Sequence, residues 1–300
     1  MESFRLRPNA ADEAENISYW RALVPSLHIQ DPASSVLPET SFSSSLGEAD
    51  ERKLLCDKGY LQKTRFISPA QCKTLVRAVE LLRTEGWPEP FLFLFDEVWQ
   101  CAARIANVYE KLIQSPVAML PDFWAWFLDP LNYESGWSRH RDRDADCIDE
   151  NGLPESLTAW IALTDARIDN GCIWLLPADK DPRYRRDFRD LSVDCPEDVV
   201  PLECAAGTLL LWNQVVLHWG GRSLPIAPHP RVSVAFEFQR VDVPPHNSPL
   251  LNPSQLPTFN QRLALVAKQL LQYQHMYVIP RWLVEIAEEW KETFSLPKGV

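Results

Sequence analysis

No apolar run in this 300-residue chain approaches the roughly 20 residues that a membrane-spanning helix needs. The longest unbroken runs, such as Phe91 to Phe95, fall far short. The opening Met-Glu-Ser-Phe-Arg-Leu-Arg lacks the apolar stretch of a secretory leader, and the final Lys-Gly-Val matches no peroxisomal or lipidation signal. These absences lead us to expect a cytoplasmic protein with no membrane partner. Basic residues are in deficit: 30 Lys and Arg against 41 Asp and Glu give a formal charge of -11 and a pI near 5.1. Such a balance argues against a nucleic-acid backbone as partner and leaves small molecules as the expected ligands. The seven cysteines form no Cys-x-x-Cys pair and are odd in number, which reads as reduced thiols rather than a disulfide framework. No internal repeat is visible.

What is present suffices for a large core: 46% hydrophobic residues, with 12 Trp and 13 Phe. The chain divides by character into three parts. Residues 1–57 read as a polar, irregular and partly mobile arm with Ser/Pro/Ala-rich patches (Asp31 to Ser35, Ser41 to Ser45) and one helix around Ala11 to Leu23. Residues 58–243 hold a strand over Lys58 to Ile67 and a helix opened by Ser68 as N-cap, with Pro69 at its first turn and Gln71 three residues on. A second helix runs from about Phe95 to Ile113. Short β-prone runs follow at Phe123 to Leu128, Leu157 to Thr164, Cys172 to Leu176, Thr208 to Trp212, Val215 to Trp219 and Arg231 to Gln239, separated by turn signals. Residues 244–300 begin with a Pro/Asn/Ser stretch and continue into two helices, Thr258 to about Gln274 and Pro280 to Phe294, expected to pack on the core or on a second copy of the chain. The pattern predicts an α+β, mainly β fold: a β-sandwich or a jelly-roll (cupin-like) barrel flanked by N-terminal and C-terminal helices.

The segment Gly136-Trp137-Ser138-Arg139-His140-Arg141-Asp142 carries the chemistry. On extended backbone, side chains two apart share a face, so His140 and Asp142 can hold one metal ion. A second imidazole from a distant strand completes a two-histidine, one-carboxylate set with open positions, the arrangement suited to non-haem Fe(II). His218, in an apolar stretch before Gly220 and Gly221, is the candidate. Asp142 is preferred over Asp144 and Asp146 because it sits two residues from His140 on the same face, and those two are expected to be exposed. A solvated charge run is the bland reading of residues 139–146, and a satisfied core histidine that of His218.

Four features, in order, make the span from Lys58 to Phe238 resemble the phytanoyl-CoA dioxygenase-like Fe(II)/2-oxoglutarate oxygenases. They are Gly59-Tyr60-Leu61 through Phe66-Ile67-Ser68-Pro69-Ala70-Gln71; His140-Arg141-Asp142; Leu157 to Asp165 with Asn170-Gly171-Cys172 and Leu176-Pro177; and Ala206 to Trp212 leading to Leu217-His218 and then Arg231-Val232-Ser233. The resemblance implies a double-stranded β-helix and a dioxygenase that consumes 2-oxoglutarate and O2, releases succinate and CO2, and hydroxylates a small molecule. It implies Fe(II) on His140, Asp142 and His218. It also implies 2-oxoglutarate binding by Arg231 and Ser233, where a guanidinium grips a carboxylate bidentately and a hydroxyl adds a bond. Trp160 is carried over as a wall of that site, with a plain core tryptophan as the other reading, and Arg222 is the competing arginine. Asp142 argues against halogenation, which needs that carboxylate replaced. The chain departs from the family at Gly220, where a small hydroxyl residue is common. Trp124, Trp126 and Trp137 are pocket or core aromatics. Arg183, Arg185, Arg186 and Arg189 either meet an anion or pair with the interleaved Asp181, Asp187 and Asp190. A peptide side-chain hydroxylase, a cupin-like enzyme without 2-oxoglutarate and a non-catalytic binding module stand as alternatives.

Overall fold

The computed structural model describes residues 9–30 and 47–299. The expected patches Asp31 to Ser35 and Ser41 to Ser45 lie outside the described residues. In chain order the elements are α1 (Ala10–Glu15), α2 (Ile17–Leu23), α3 (Glu48–Lys58), β1 (Tyr60–Lys63), α4 (Pro69–Thr84), α5 (Asp96–Ile113), β2 (Val117–Leu128), β3 (Ser156–Ala162), β4 (Ile173–Leu176), β5 (Val200–Leu202), β6 (Leu209–Asn213), β7 (Leu217–Gly220), β8 (Arg231–Arg240), α6 (Phe259–Tyr273) and α7 (Arg281–Thr293).

The strands form two antiparallel sheets, one ordered β1-β6-β3-β8-β2 and the other β5-β4-β7. Alternation along β8 explains their arrangement. Val232, Val234, Phe236 and Phe238 turn to one side and join the main core with residues of α4, α5, α6 and α7. Ala235 turns to the other side, where it meets Trp160 of β3, Leu210 and Trp212 of β6, and Ile173, Leu175 and Leu202 of the smaller sheet. The larger sheet is thus covered by helices on one face and by the smaller sheet on the other, an α+β fold built on antiparallel strands. Among the described residues the two sheets do not close into one hydrogen-bonded barrel.

Local chemistry places the helices. Ser68 and Gln71 form the expected capping box at α4, with Gln71 N donating to Ser68 Oγ at 3.2 Å and Ser68 N to Gln71 Oε1 at 3.0 Å. The helix expected over Ala11 to Leu23 is two, because Asn16 caps α2 with its side chain on Ser18 N. Helix α3 lies where irregular chain was expected and ends at Gly59 in the left-handed region, φ 79°. A Cβ at Gly59 would lie 2.4 Å from a Val216 methyl, so only glycine fits there. The strand expected over Lys58 to Ile67 is shortened to β1, and Arg65 turns the chain at φ 57°.

Strand β2 is the edge of the larger sheet, and its pairing with β8 is interrupted between Met119 and Phe123, around Pro121, which has no N–H to pair. The groups left open are taken by α6: Gln269 Nε2 donates to Pro121 O at 2.5 Å, and Phe123 N donates to Gln269 Oε1 at 3.0 Å. A buried ion pair fixes the same helix to α5, with Arg262 Nη1 2.7 Å from Asp96 Oδ1 and both side chains inaccessible. Asp96 also accepts from Gln30 N and so ties in the N-terminal segment. No helix among the described residues is long and apolar enough to cross a membrane.

Loss of Asp96 removes one half of a buried ion pair together with the acceptor of the Gln30 amide. Asp96→Ala should therefore cost about 3–5 kcal/mol of unfolding free energy in a urea titration; a loss below about 1 kcal/mol would show that the pair does not anchor α6.

Candidate metal centre and its cavity

His140 and His218 are joined by reciprocal backbone hydrogen bonds, each N–H donating to the other carbonyl at 3.0 Å. Directly paired residues of antiparallel chains project to the same side, and here the two imidazole centroids stand 4.3 Å apart. Asp142, two residues on, completes the group: its Oδ1 is 3.3 Å from His140 Nε2 and 3.5 Å from His218 Nε2. One ligand atom from each of the three lies within 4.8 Å of the others, the only such cluster of His, Cys and carboxylate groups among the described residues.

The surrounding bonds orient every ligand. His140 Nδ1 donates to Ser138 O at 2.6 Å and His218 Nδ1 to Val216 O at 3.0 Å, which leaves both Nε2 lone pairs toward the shared point. Asp142 Oδ2 accepts from Thr158 Oγ1 at 2.6 Å and Trp212 Nε1 at 3.0 Å, so Oδ1 faces the histidines. Burial holds His218 down at about 4, against the pull of Asp142. Burial alone would raise Asp142, but His218, His140 and Thr158 together hold it below the usual carboxylate range. A deprotonated carboxylate with a neutral His218 imidazole is the state a metal ion requires. His140 Nε2 is buried with no hydrogen-bond partner, a donor atom lacking only an electrophile. This set fits a divalent ion of the first transition row.

The centre lies in a partly open pocket lined among others by Trp126, Trp137, Trp160, Gly220 and Arg231. Arg231 is 1% exposed, lies with its guanidinium 5.4 Å from the Trp160 ring, and among the described residues has no carboxylate partner. Its Nε and Nη1, together with the wholly buried Oγ of Ser233, have no hydrogen-bond partner. Burial pushes the Arg231 guanidinium down to about 10. An unpaired buried cation is costly, and the open donors beside it describe an anion site. The competing Arg222 sits at the rim, 5.2 Å over the Tyr133 ring. At Gly220 a Cβ would come within 2.5 Å of Gly136 Cα, so the two backbones in contact leave no room for the hydroxyl residue common in the family.

Other candidates are placed elsewhere. Asp144 and Asp146 are exposed. Arg183 pairs with Asp190 and Asp194, and Arg185 with Asp146, so these arginines face carboxylates rather than the cavity. Among the cavity residues to which the sequence assigned no site role are Thr158, Trp212, Asp122, Glu237 and Tyr273. Glu237 was accessible in principle, since it continues the alternate face of β8 that begins with Arg231 and Ser233. Burial, then the charges of Asp122 and Asp142, pushes its carboxyl well up despite Arg143.

The family model for phytanoyl-CoA dioxygenase (PhyH) matches residues 93–224, a span that contains all three candidate ligands. No curated protein sequence matches the chain. Among solved structures, the non-haem alpha ketoglutarate-dependent epimerase SnoN from nogalamycin biosynthesis is similar with a TM-score of 0.52 and 16% identity, over 68% of this chain and 90% of that one. EctD from S. alaskensis, solved with 2-oxoglutarate and 5-hydroxyectoine, gives 0.51 and 16% over 76% and 86%. ThoJ, a non-haem monooxygenase, gives 0.55 and 15% over 81% and 100%. At these identities the likeness is one of fold.

Loss of a bond that orients a ligand typically weakens metal binding 10–100-fold. Thr158→Val should therefore lower Mn(II) or Fe(II) affinity by about 10–100-fold in anaerobic calorimetry; unchanged affinity would remove Thr158 from the centre.

Proposed function

We propose that this chain, which matches the phytanoyl-CoA dioxygenase family across its ligand-bearing segments, is an Fe(II)- and 2-oxoglutarate-dependent oxygenase that hydroxylates a small molecule. The observation that carries the reading is Arg231: a buried cation without a counter-ion, beside unpartnered Ser233, in the cavity that also holds the His140, Asp142 and His218 group. 2-Oxoglutarate, a dianion named in the EctD structure, meets both needs: one end can chelate a metal and the other can take Arg231. We read the paired sheets as a double-stranded β-helix spanning 58–243, with 244–300 as an extension that completes its edge.

The residues divide the work. His140, Asp142 and His218 would hold the metal, and three protein ligands would leave it positions for cosubstrate and O2. Arg231 and Ser233 fix the distal carboxylate, and the ring of Trp160 backs the guanidinium. Bound iron, 2-oxoglutarate and O2 together supply the oxidising power that breaks a substrate C–H bond, yielding hydroxylated product, succinate and CO2. The indole walls of Trp126 and Trp137 exclude water and hold the target bond near the centre. A concave pocket walled by indole and phenol rings favours a small molecule over a peptide strand, which would need an extended groove. A cupin-like enzyme without 2-oxoglutarate would leave Arg231 unexplained.

Iron-dependent release of succinate from 2-oxoglutarate should be abolished by Asp142→Ala. Arg231→Met should weaken 2-oxoglutarate binding by roughly 30-fold or more while iron affinity is kept. Full succinate release by the first variant, or unchanged 2-oxoglutarate affinity in the second, would contradict the assignment.

A further inference from the structure

One strand gives the cavity opposite charges at its two ends. Arg231, Ser233, Ala235 and Glu237 alternate on the same side of β8, and six residues of extended chain separate Arg231 from Glu237 by about 20 Å. The Arg231 end is the one assigned above to the cosubstrate. At the Glu237 end the walls are aromatic: the Tyr273 ring, from the last residue of α6, stands 5.1 Å from Trp124 and 4.9 Å from Trp137. Two carboxylates, Asp122 and Glu237, share this end. Asp122 is enclosed by donors, with Asn247 Nδ2 2.8 Å from each of its oxygens, Gln272 Nε2 at 2.7 Å and the Lys268 ammonium 3.7 Å from Oδ1. Glu237 is not. Gln214 Nε2 at 2.6 Å and Arg143 Nη2 at 3.2 Å both donate to Oε2, and neither reaches Oε1.

We propose that this end of the cavity binds a cationic nitrogen of the substrate, a protonated or quaternary amine, seated against the rings of Trp124, Trp137 and Tyr273 with the Glu237 carboxylate as counter-ion. The proposal rests on the oxygenase reading and names the substrate class for it.

Three arguments converge. Aromatic faces carry negative quadrupole potential, and several rings around one point form the usual receptor for an organic cation. Each carboxylate here has one cationic neighbour, Lys268 for Asp122 and Arg143 for Glu237, yet Arg143 does not offset the burial of Glu237. Burial, Asp122 and Asp142 together outweigh Arg143 at Glu237, and the Tyr273 phenol is raised first by burial and then by Glu237, Asp122 and Asp142. A bound ammonium would relieve both groups. A substrate with a carboxylate or phosphate at this end would instead meet Asp122 and Glu237 in a poorly hydrated space.

The test uses the full chain loaded anaerobically with Fe(II) and 2-oxoglutarate, with the visible charge-transfer band of the chelated 2-oxo acid as proof of loading. Three probes of one shape are titrated against tryptophan fluorescence: choline, the neutral 3,3-dimethylbutan-1-ol and the anionic 3,3-dimethylbutanoate. Choline should bind roughly tenfold more tightly than the alcohol, and the acid more weakly than either. Glu237→Gln should bring choline and the alcohol to within about twofold, and Tyr273→Leu should weaken choline without changing 2-oxoglutarate affinity. With the band present, failure of choline to bind, equal binding of the alcohol, or a choline preference untouched in both variants overturns the proposal alone. Absence of the band overturns the oxygenase reading on which it rests.

Discussion

The backbone pairing of His140 with His218 is the constraint on which the site depends. Two residues 78 positions apart exchange both of their main-chain hydrogen bonds at 3.0 Å, and this alone sets the two imidazoles side by side. Everything else adjusts the result. The Ser138 and Val216 carbonyls turn the rings, and Thr158 with Trp212 turns Asp142. Contact of Gly136 with Gly220 lets the chain that carries His140 lie against the end of β7. The pairing joins the smaller sheet to a segment that belongs to neither sheet, so the centre sits where the sandwich is open rather than in its packed interior.

That opening is finished by the far end of the chain. The edge strand β2 is broken around Pro121, and Gln269 of α6 repairs it, with Arg262 and Asp96 holding the helix in place. One turn beyond Gln269, Tyr273 reaches the cavity wall. Stability and site construction therefore share residues: the side chains that satisfy a broken strand also set the position of an aromatic wall. The cavity consequently has two kinds of lining. β8 contributes Arg231 and Glu237 at its two ends, and β2, β3, α6 and the segment before His140 contribute rings.

The legible parts of the sequence were those governed by short-range periodicity. Strand β8 follows from strict alternation between apolar Val232, Val234, Phe236 and Phe238 and the intervening face. The start of α4 follows from Ser68, Pro69 and Gln71, whose chemistry is wholly local. The pairing of His140 with His218 was suggested by a family pattern rather than by spacing, since no local rule joins residues so far apart. Helix α3 was not visible because its charged sequence has no apolar stripe; its position is set by Leu55 in the core and the left-handed Gly59. Strand β5 spans only Val200–Leu202, too short for a periodic signal. Tyr273 could not be placed in the cavity from sequence, for its position depends on the break in β2 that Gln269 fills.

The central claim is that one cavity holds a metal on His140, Asp142 and His218 and a 2-oxo diacid between that metal and Arg231. Anaerobic titration of the Fe(II)-loaded protein with 2-oxoglutarate tests it most directly. A weak visible charge-transfer band that saturates with one equivalent of 2-oxoglutarate per iron is the predicted result. Iron bound at the site with no band at saturating 2-oxoglutarate would contradict the account.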